Sequence, residues 1–312
     1  WKDQDNDGIY DTIDSSLPFN NGTDADSDGF VDYWDNCPTT YGNYNWGCSG
    51  SQPPTNNTNA TVLTSCGNIS VSGNYVLGNN VSTPVNSISV NCFLINVSDV
   101  DFDCQGKAIS LQSDFFGGFA FRTAFVVGSY YLQEIYNVTI KNCIINTTNV
   151  PYMAETNGII LSKVYNSSVV NNSIYVKGVW QSGGTAIASN YGSNNVISNN
   201  GIFSIDQYGG GNTVVGLGNG FNITFIKNNI TANTPQFSLL VSQGNEFLIS
   251  DNNVRISNVF NTFSYAIAMR FQNVLNSTVK NNNIFGFDSG GIVVLNSQIH
   301  SPINIISNNI SL

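Results

Sequence analysis

The sequence predicts an all-β chain in which short parallel strands wind up a single axis as a solenoid, headed by a separate acidic loop module. Three observations carry this expectation. From about residue 124 onward, segments that pair Asn with Ile or Val recur every 24 to 30 residues, and a period of that length means stacked units. Short β-branched runs alternate with Asn and Gly, and no stretch repeats apolar residues at helical spacing for ten residues. Ten of the twenty acidic residues lie between Asp3 and Asp35, where the only nearby base is Lys2.

The acidic head comes first in the chain. WKDQDNDGIYDTID and DADSDGFVDYWD share one spacing: Asp3, Asp5, Asp7, Asp11 and Asp14 match Asp24, Asp26, Asp28, Asp32 and Asp35 at an offset of 21. Alternate carboxylates on a tight loop with a following Gly supply the six to eight oxygens that Ca²⁺ prefers. Ile9 and Phe30 fall where a backbone carbonyl completes the shell. The twelfth position is Asp14 or Asp35 rather than Glu, and the flanks hold Pro18 and Gly22, so the segment is no helix-flanked calcium hand. Through DSDGFVDYWDNCP it resembles thrombospondin type-3 repeats, a resemblance that implies Asp side chains wrapped around at least two calcium ions and a Cys pair stapling the chain. Cys37 and Cys48 close a loop holding Tyr41, Tyr44 and Trp46. The module is expected to span residues 1–48, followed by a Ser, Pro, Thr and Asn-rich linker at 49–60.

The body, 61–312, carries ten acids in total against nine Lys and Arg beyond residue 35, and is close to neutral. Its repeats IKNCI, VVNNSI, ISNNGI, IKNNI, ISDNNV, VKNNNI and ISNNI end at Ile144, Ile174, Ile202, Ile230, Val254, Ile284 and Ile310. The Asn pairs Asn171–Asn172, Asn199–Asn200, Asn228–Asn229 and Asn308–Asn309 are expected at equivalent turns, because Asn tolerates left-handed backbone angles and stacked amides can bond from coil to coil. The entry stretch, CGNISVSGNYVLGNNV followed by CFLINVSDVDFDCQGKAIS, is similar to the first coils of right-handed parallel β-helix proteins of the NosD-like, carbohydrate-binding and sugar-hydrolase group. That resemblance implies a right-handed parallel β-helix of about nine coils over residues 61–312. Adjacent coils about 4.8 Å apart suit a disulfide, which favours Cys66–Cys92 and Cys104–Cys143, although six cysteines allow fifteen pairings. The insertion QSDFFGGFAFRT, 112–123, lengthens one coil and is expected to act as a lid or a contact.

Six cysteines without zinc-type CxxC pairs point to an oxidising compartment. Asn-x-Ser/Thr sequons start at Asn21, Asn56, Asn59, Asn68, Asn80, Asn96, Asn137, Asn146, Asn166, Asn171, Asn222, Asn229, Asn276 and Asn309, so an extracellular chain bearing N-glycans is expected. No run of eighteen apolar residues occurs, so no membrane span is expected. With no basic patch and an acidic head, nucleic acid is not an expected partner.

Catalysis on a β-helix needs converging carboxylates or a positioned base. The body offers Asp99, Asp101 and Asp103 on one strand, the arginines Arg122, Arg255 and Arg270, and dispersed Glu134, Glu155, Asp206, Glu246, Asp251 and Asp288. His300 stands alone before Ser301 and Pro302. The sequence therefore favours a non-catalytic chain. Strand edges at both ends of the stack pair readily with other chains, which points to an extracellular, cell-surface filament of self-stacking subunits with calcium stiffening the joints. The alternatives are a surface-attached carbohydrate-binding or polysaccharide-cleaving β-helix protein, with surface polysaccharide as the partner, and an adhesin fragment.

Overall fold

In the computed structural model the described residues are 60–83, 89–113, 120–128, 134–149, 154–178, 184–206, 213–233, 237–257, 266–287, 289–295 and 303–311. The chain divides into two units, Trp1–Thr58 and Asn59–Leu312. The second is an all-β parallel solenoid. Among the described residues three parallel sheets of ten, nine and nine strands form its sides, and from Gly73 onward the chain visits them in one order. A strand of the first sheet, such as Val138–Lys141, leads to one of the second, Ile144–Asn149, and then to one of the third, Ala154–Ser162.

Alternation along each strand explains why these sequences suit the sides of a solenoid. In Val138–Lys141, Val138 and Ile140 are buried while Thr139 and Lys141 face out. Coil on coil the inward residues stack like on like, as in Ile145, Ile174, Ile202, Ile230, Val254 and Ile284. Near the entry the core widens to aromatic rings: Phe93, Phe102 and Phe125 meet pairwise at 4.8, 5.3 and 4.9 Å between centroids, within the range in which ring pairs attract.

The register corrects two details of the sequence reading. Ile144 pairs with Ala108 and Ser173, while Ile145 is the inward residue that matches Ile174. Ile144 is accordingly 40% exposed. The equivalent Asn pairs also slip by one in two coils: Asn228 and Asn308, not Asn229 and Asn309, carry on from Asn172 and Asn200.

The corners are built from residues in left-handed conformation. Asn142, Asn171, Asn199, Lys227, Asp251, Asn281 and Ser307, all with φ between 52° and 57°, turn the chain from the first sheet into the second. Asp99, Asn137, Asn166, Asn194, Asn222, Glu246 and Asn276 do the same where the chain enters the first sheet. A left-handed residue costs free energy for most side chains and least for Gly, Asn and Asp, which is why Asn punctuates the repeats.

Immediately after the first set of corners lies a buried amide ladder. Asn172 Nδ2 donates to Asn200 Oδ1 at 3.0 Å, Asn200 to Asn228 at 3.0 Å, Asn228 to Asn252 at 3.1 Å, Asn252 to Asn282 at 2.9 Å and Asn282 to Asn308 at 2.9 Å. Each also donates to a carbonyl of the preceding coil, as Asn228 does to Ile197 at 2.9 Å. Above the ladder the same column holds cysteines. Cys143 N–H donates to Asn172 Oδ1, and Cys143 is bonded to Cys104 across a Cα separation of 4.8 Å. Cys66 and Cys92 are bonded likewise at 4.5 Å. The coil pitch brings both pairs together, and the bonds suit a chain matured outside the reducing cytosol. Among the described residues no helix is long and apolar enough to cross a membrane.

Candidate functional site

The outward face carries the chemistry. The Asp residues of the entry coil do not converge. Asp99 accepts from Asn137 Nδ2 at 2.8 Å, Asp101 pairs with Lys141 Nζ at 2.7 Å, and Asp103 accepts from Asn142 Nδ2 at 3.0 Å and from Gln105 N–H at 2.8 Å. Each carboxylate is tied to its neighbouring coil or its own turn, so this trio reads as a fastening of one coil to the next. No three His, Cys, Asp or Glu among the described residues gather as a metal site.

The arginines are engaged structurally. Arg122 is wholly buried, with Nη1 3.5 Å from Thr83 Oγ1. Arg270 lies 4.8 Å from the Phe237 ring centroid and donates to Gln272 at 3.4 Å, and Arg255 lies 6.0 Å from the Phe285 centroid. Asp251 accepts from Asn281 at 3.4 Å. His300, Asp288 and residues 114–119 of the Phe-rich insertion lie outside the described residues. So do the calcium ligands expected between Asp3 and Asp35, Cys37 and Cys48, and the sequons at Asn21, Asn56 and Asn59. Of the other sequons, Asn68, Asn80, Asn96, Asn171, Asn222, Asn229, Asn276 and Asn309 are exposed, whereas Asn137, Asn146 and Asn166 are half-buried.

A site that the sequence reading missed lies at the corner between the third and first sheets. Tyr136, Tyr165, Ser193, Phe221, Asn245 and Leu275 stack in register, one per coil. The rings of Tyr136 and Tyr165 stack at 5.1 Å with 23° between planes. Glu134 ties them together, accepting from Tyr136 Oη at 2.6 Å and from Tyr165 Oη at 3.3 Å. The hydrogen bond to Glu134 raises the Tyr136 phenol above the ordinary tyrosine value, helped by desolvation and the carboxylate charge. For Tyr165 desolvation leads, with the Glu134 charge and hydrogen bond behind it. Both rings thus stay neutral hydroxyl donors at any ordinary pH. Phe221 is 46% exposed and Tyr136 38%.

Immediately after this column runs a row of corner amides. Asn194 Nδ2 donates to Asn166 Oδ1 at 3.0 Å and Asn222 Nδ2 to Asn194 Oδ1 at 2.9 Å. An amide has two N–H groups and two carbonyl lone pairs, so these contacts leave it capacity for a ligand. Rings bordered by amides offer apolar faces and hydrogen bonds side by side, which is the combination a sugar ring needs. The sequence held a signal for the column: Tyr136, Tyr165, Ser193 and Phe221 each precede the left-handed Asn of their coil, at separations of 29, 28 and 28.

No protein-family model matches the chain, and no curated protein does. Solved structures do. A DFA-IIIase from Arthrobacter chlorophenolicus A6 is similar with a TM-score of 0.33 and 13% identity over 69% of this chain, which spans 63% of that chain's length. The A-module of the mannuronan C-5 epimerase AlgE6 of Azotobacter vinelandii gives 0.31 and 11%, covering 77% of this chain and 81% of that one. The A-module of the epimerase AlgE4 gives 0.21 and 11%, covering 77% and 87%. At such identities the likeness concerns the fold. The expectation of a non-catalytic chain is corrected and not kept: the similar structures are a DFA-IIIase and mannuronan C-5 epimerases.

Proposed function

We propose that this chain is an extracellular, surface-attached β-helix protein directed at carbohydrate, one that binds or cleaves a polysaccharide at its flank. The carrying observation is the column of exposed Tyr136, half-buried Tyr165 and exposed Phe221 beside the amides of Asn166, Asn194 and Asn222. Apolar surface grouped in one place and rimmed by polar groups is the kind of patch that marks a binding site. The head-to-tail filament expected from the strand edges gives way to this reading, which has side chains of its own to point to. The Asp3 to Asp35 segment, in this proposal, is a thrombospondin type-3-like calcium module, and the exposed sequons carry N-glycans; both belong to the protein's life outside the cell.

The test is a panel of soluble polysaccharides, neutral and acidic, scored for retardation of the purified chain in affinity gels and for release of new chain ends. Retardation that weakens in the double variant Tyr136→Ala, Tyr165→Ala is expected. An untouched mobility and intact polymers across the panel would sink the proposal. Calorimetric titration with CaCl₂ after chelation checks the head separately, with at least two sites expected.

A further inference from the structure

The aromatic column is interrupted. Between the rings of Tyr165 and Phe221 stands Ser193, in register with both. Stacked coils rise by about 4.8 Å, and the Tyr136–Tyr165 centroid distance of 5.1 Å shows rings of this column following that rise. Two rises therefore separate Tyr165 from Phe221, about 9.6 Å, and the column residue in register between them is a serine. That gap is one ring short of a continuous stack.

We infer that the Ser193 gap is a binding slot for a single pyranose ring of a β-linked, gluco-configured glycan, sandwiched between Tyr165 and Phe221. This rests on the carbohydrate reading above and names its subsite and substrate class. A ring placed midway lies about 4.8 Å from each neighbour, the separation at which flat faces stack. The occupant must be apolar on both faces and polar around its rim. A β-linked gluco-configured pyranose meets both demands: its substituents are all equatorial, so both faces present C–H groups, while the hydroxyls point outward in the ring plane. The rim partners are in place, since the corner amides of Asn166, Asn194 and Asn222 follow the three column residues directly. An α-linkage puts an oxygen on one face and spoils one of the two stacks. Because the slot opens between coils, the glycan crosses the solenoid axis rather than running along it.

The test uses the full chain, with cellohexaose and chitohexaose as β-linked probes and maltohexaose as the α-linked control. Ser193→Phe inserts the missing ring. It is expected to fold, with an unchanged or raised melting temperature, and to weaken β-linked hexaose binding about tenfold or more. Phe221→Ala removes one wall and is expected to weaken binding similarly, without touching the core. Hexaose binding that Ser193→Phe and Phe221→Ala leave intact would overturn the slot while the carbohydrate reading stood. Equal binding of maltohexaose would overturn the assigned sugar configuration. A wild-type chain that binds no member of the hexaose set but is retarded by another polysaccharide overturns the slot alone; one inert to both sets overturns the carbohydrate reading with it.

Discussion

At the scale of single residues, Glu134 sets the behaviour of two tyrosines. Its carboxylate accepts from both phenols, and both pKa values move up from the ordinary 10.0. The sign follows from linkage. A group whose folded pKa is raised adds stability that is fully present below the unfolded value and is lost as pH rises through the folded one. The pair therefore contributes steadily below pH 10.0 and fails only above it. Ultraviolet titration of phenolate should show two tyrosines ionising late in the wild type. In Glu134→Gln the late pair should move back toward the other tyrosines; a titration unchanged by that substitution would show that Glu134 does not govern them. Residue-scale logic also accounts for four of the sequons. At Asn137, Asn166, Asn222 and Asn276 the corner demands a left-handed residue, the next points inward, and the third faces out on a strand where Ser or Thr is at home. The triplet Asn-x-Ser/Thr then arises from backbone geometry whether or not a glycan is attached.

At the scale of elements, the buried amide ladder is what holds one corner of the stack together. Asn228 accepts from Asn200 N–H and Nδ2, and donates to Ile197 O and Asn252 Oδ1. Asn228→Ala would remove all four bonds, leaving the buried Asn200 N–H without its acceptor and Asn252 Oδ1 with the Asn228 backbone N–H alone. Unsatisfied buried groups cost about 1–3 kcal/mol each, so a loss of about 3 kcal/mol or more is expected in chemical denaturation. A substitution at exposed Asn229 on the neighbouring position should cost little, and equal losses at the two sites would contradict the register. Much of this architecture was legible in the sequence. Period and strand alternation follow from repeat spacing, and the two bridges preferred among fifteen possible pairings, Cys66–Cys92 and Cys104–Cys143, are the ones formed. The one-residue slips at Ile144 and Asn229 did not, because runs such as Cys143-Ile144-Ile145 and Asn228-Asn229-Ile230 offer two adjacent residues of one type, and only the coil below decides which turns inward. The aromatic column escaped notice for a different reason: Ser193 breaks it, and a pattern with a member missing looks like scatter until the coils are stacked.

At the scale of the whole molecule, stability is distributed along the axis, since each coil touches mainly the coils above and below. Energies in such stacks add as single-coil and neighbour terms, so the molecule should tolerate changes of length that keep the corners in phase. Deleting residues 200–227 removes 28 residues and places Asn228 where Asn200 stood, donating from the same corner to the same kind of neighbour. The shortened chain is expected to remain a soluble all-β protein by circular dichroism with a cooperative melt. A deletion of the same region by three further residues should fail, and equal behaviour of the two would show that phase does not matter.

The amide ladder also bears on how such a chain changes over generations. Because each Asn meets its successor through an identical pair of bonds, a duplicated or lost stretch of DNA is tolerated when it encodes a whole turn of the stack and rejected otherwise. Lineages of this protein should therefore differ in length by steps of one coil, near the intervals of 24 to 30 residues that separate Ile174, Ile202, Ile230, Val254, Ile284 and Ile310.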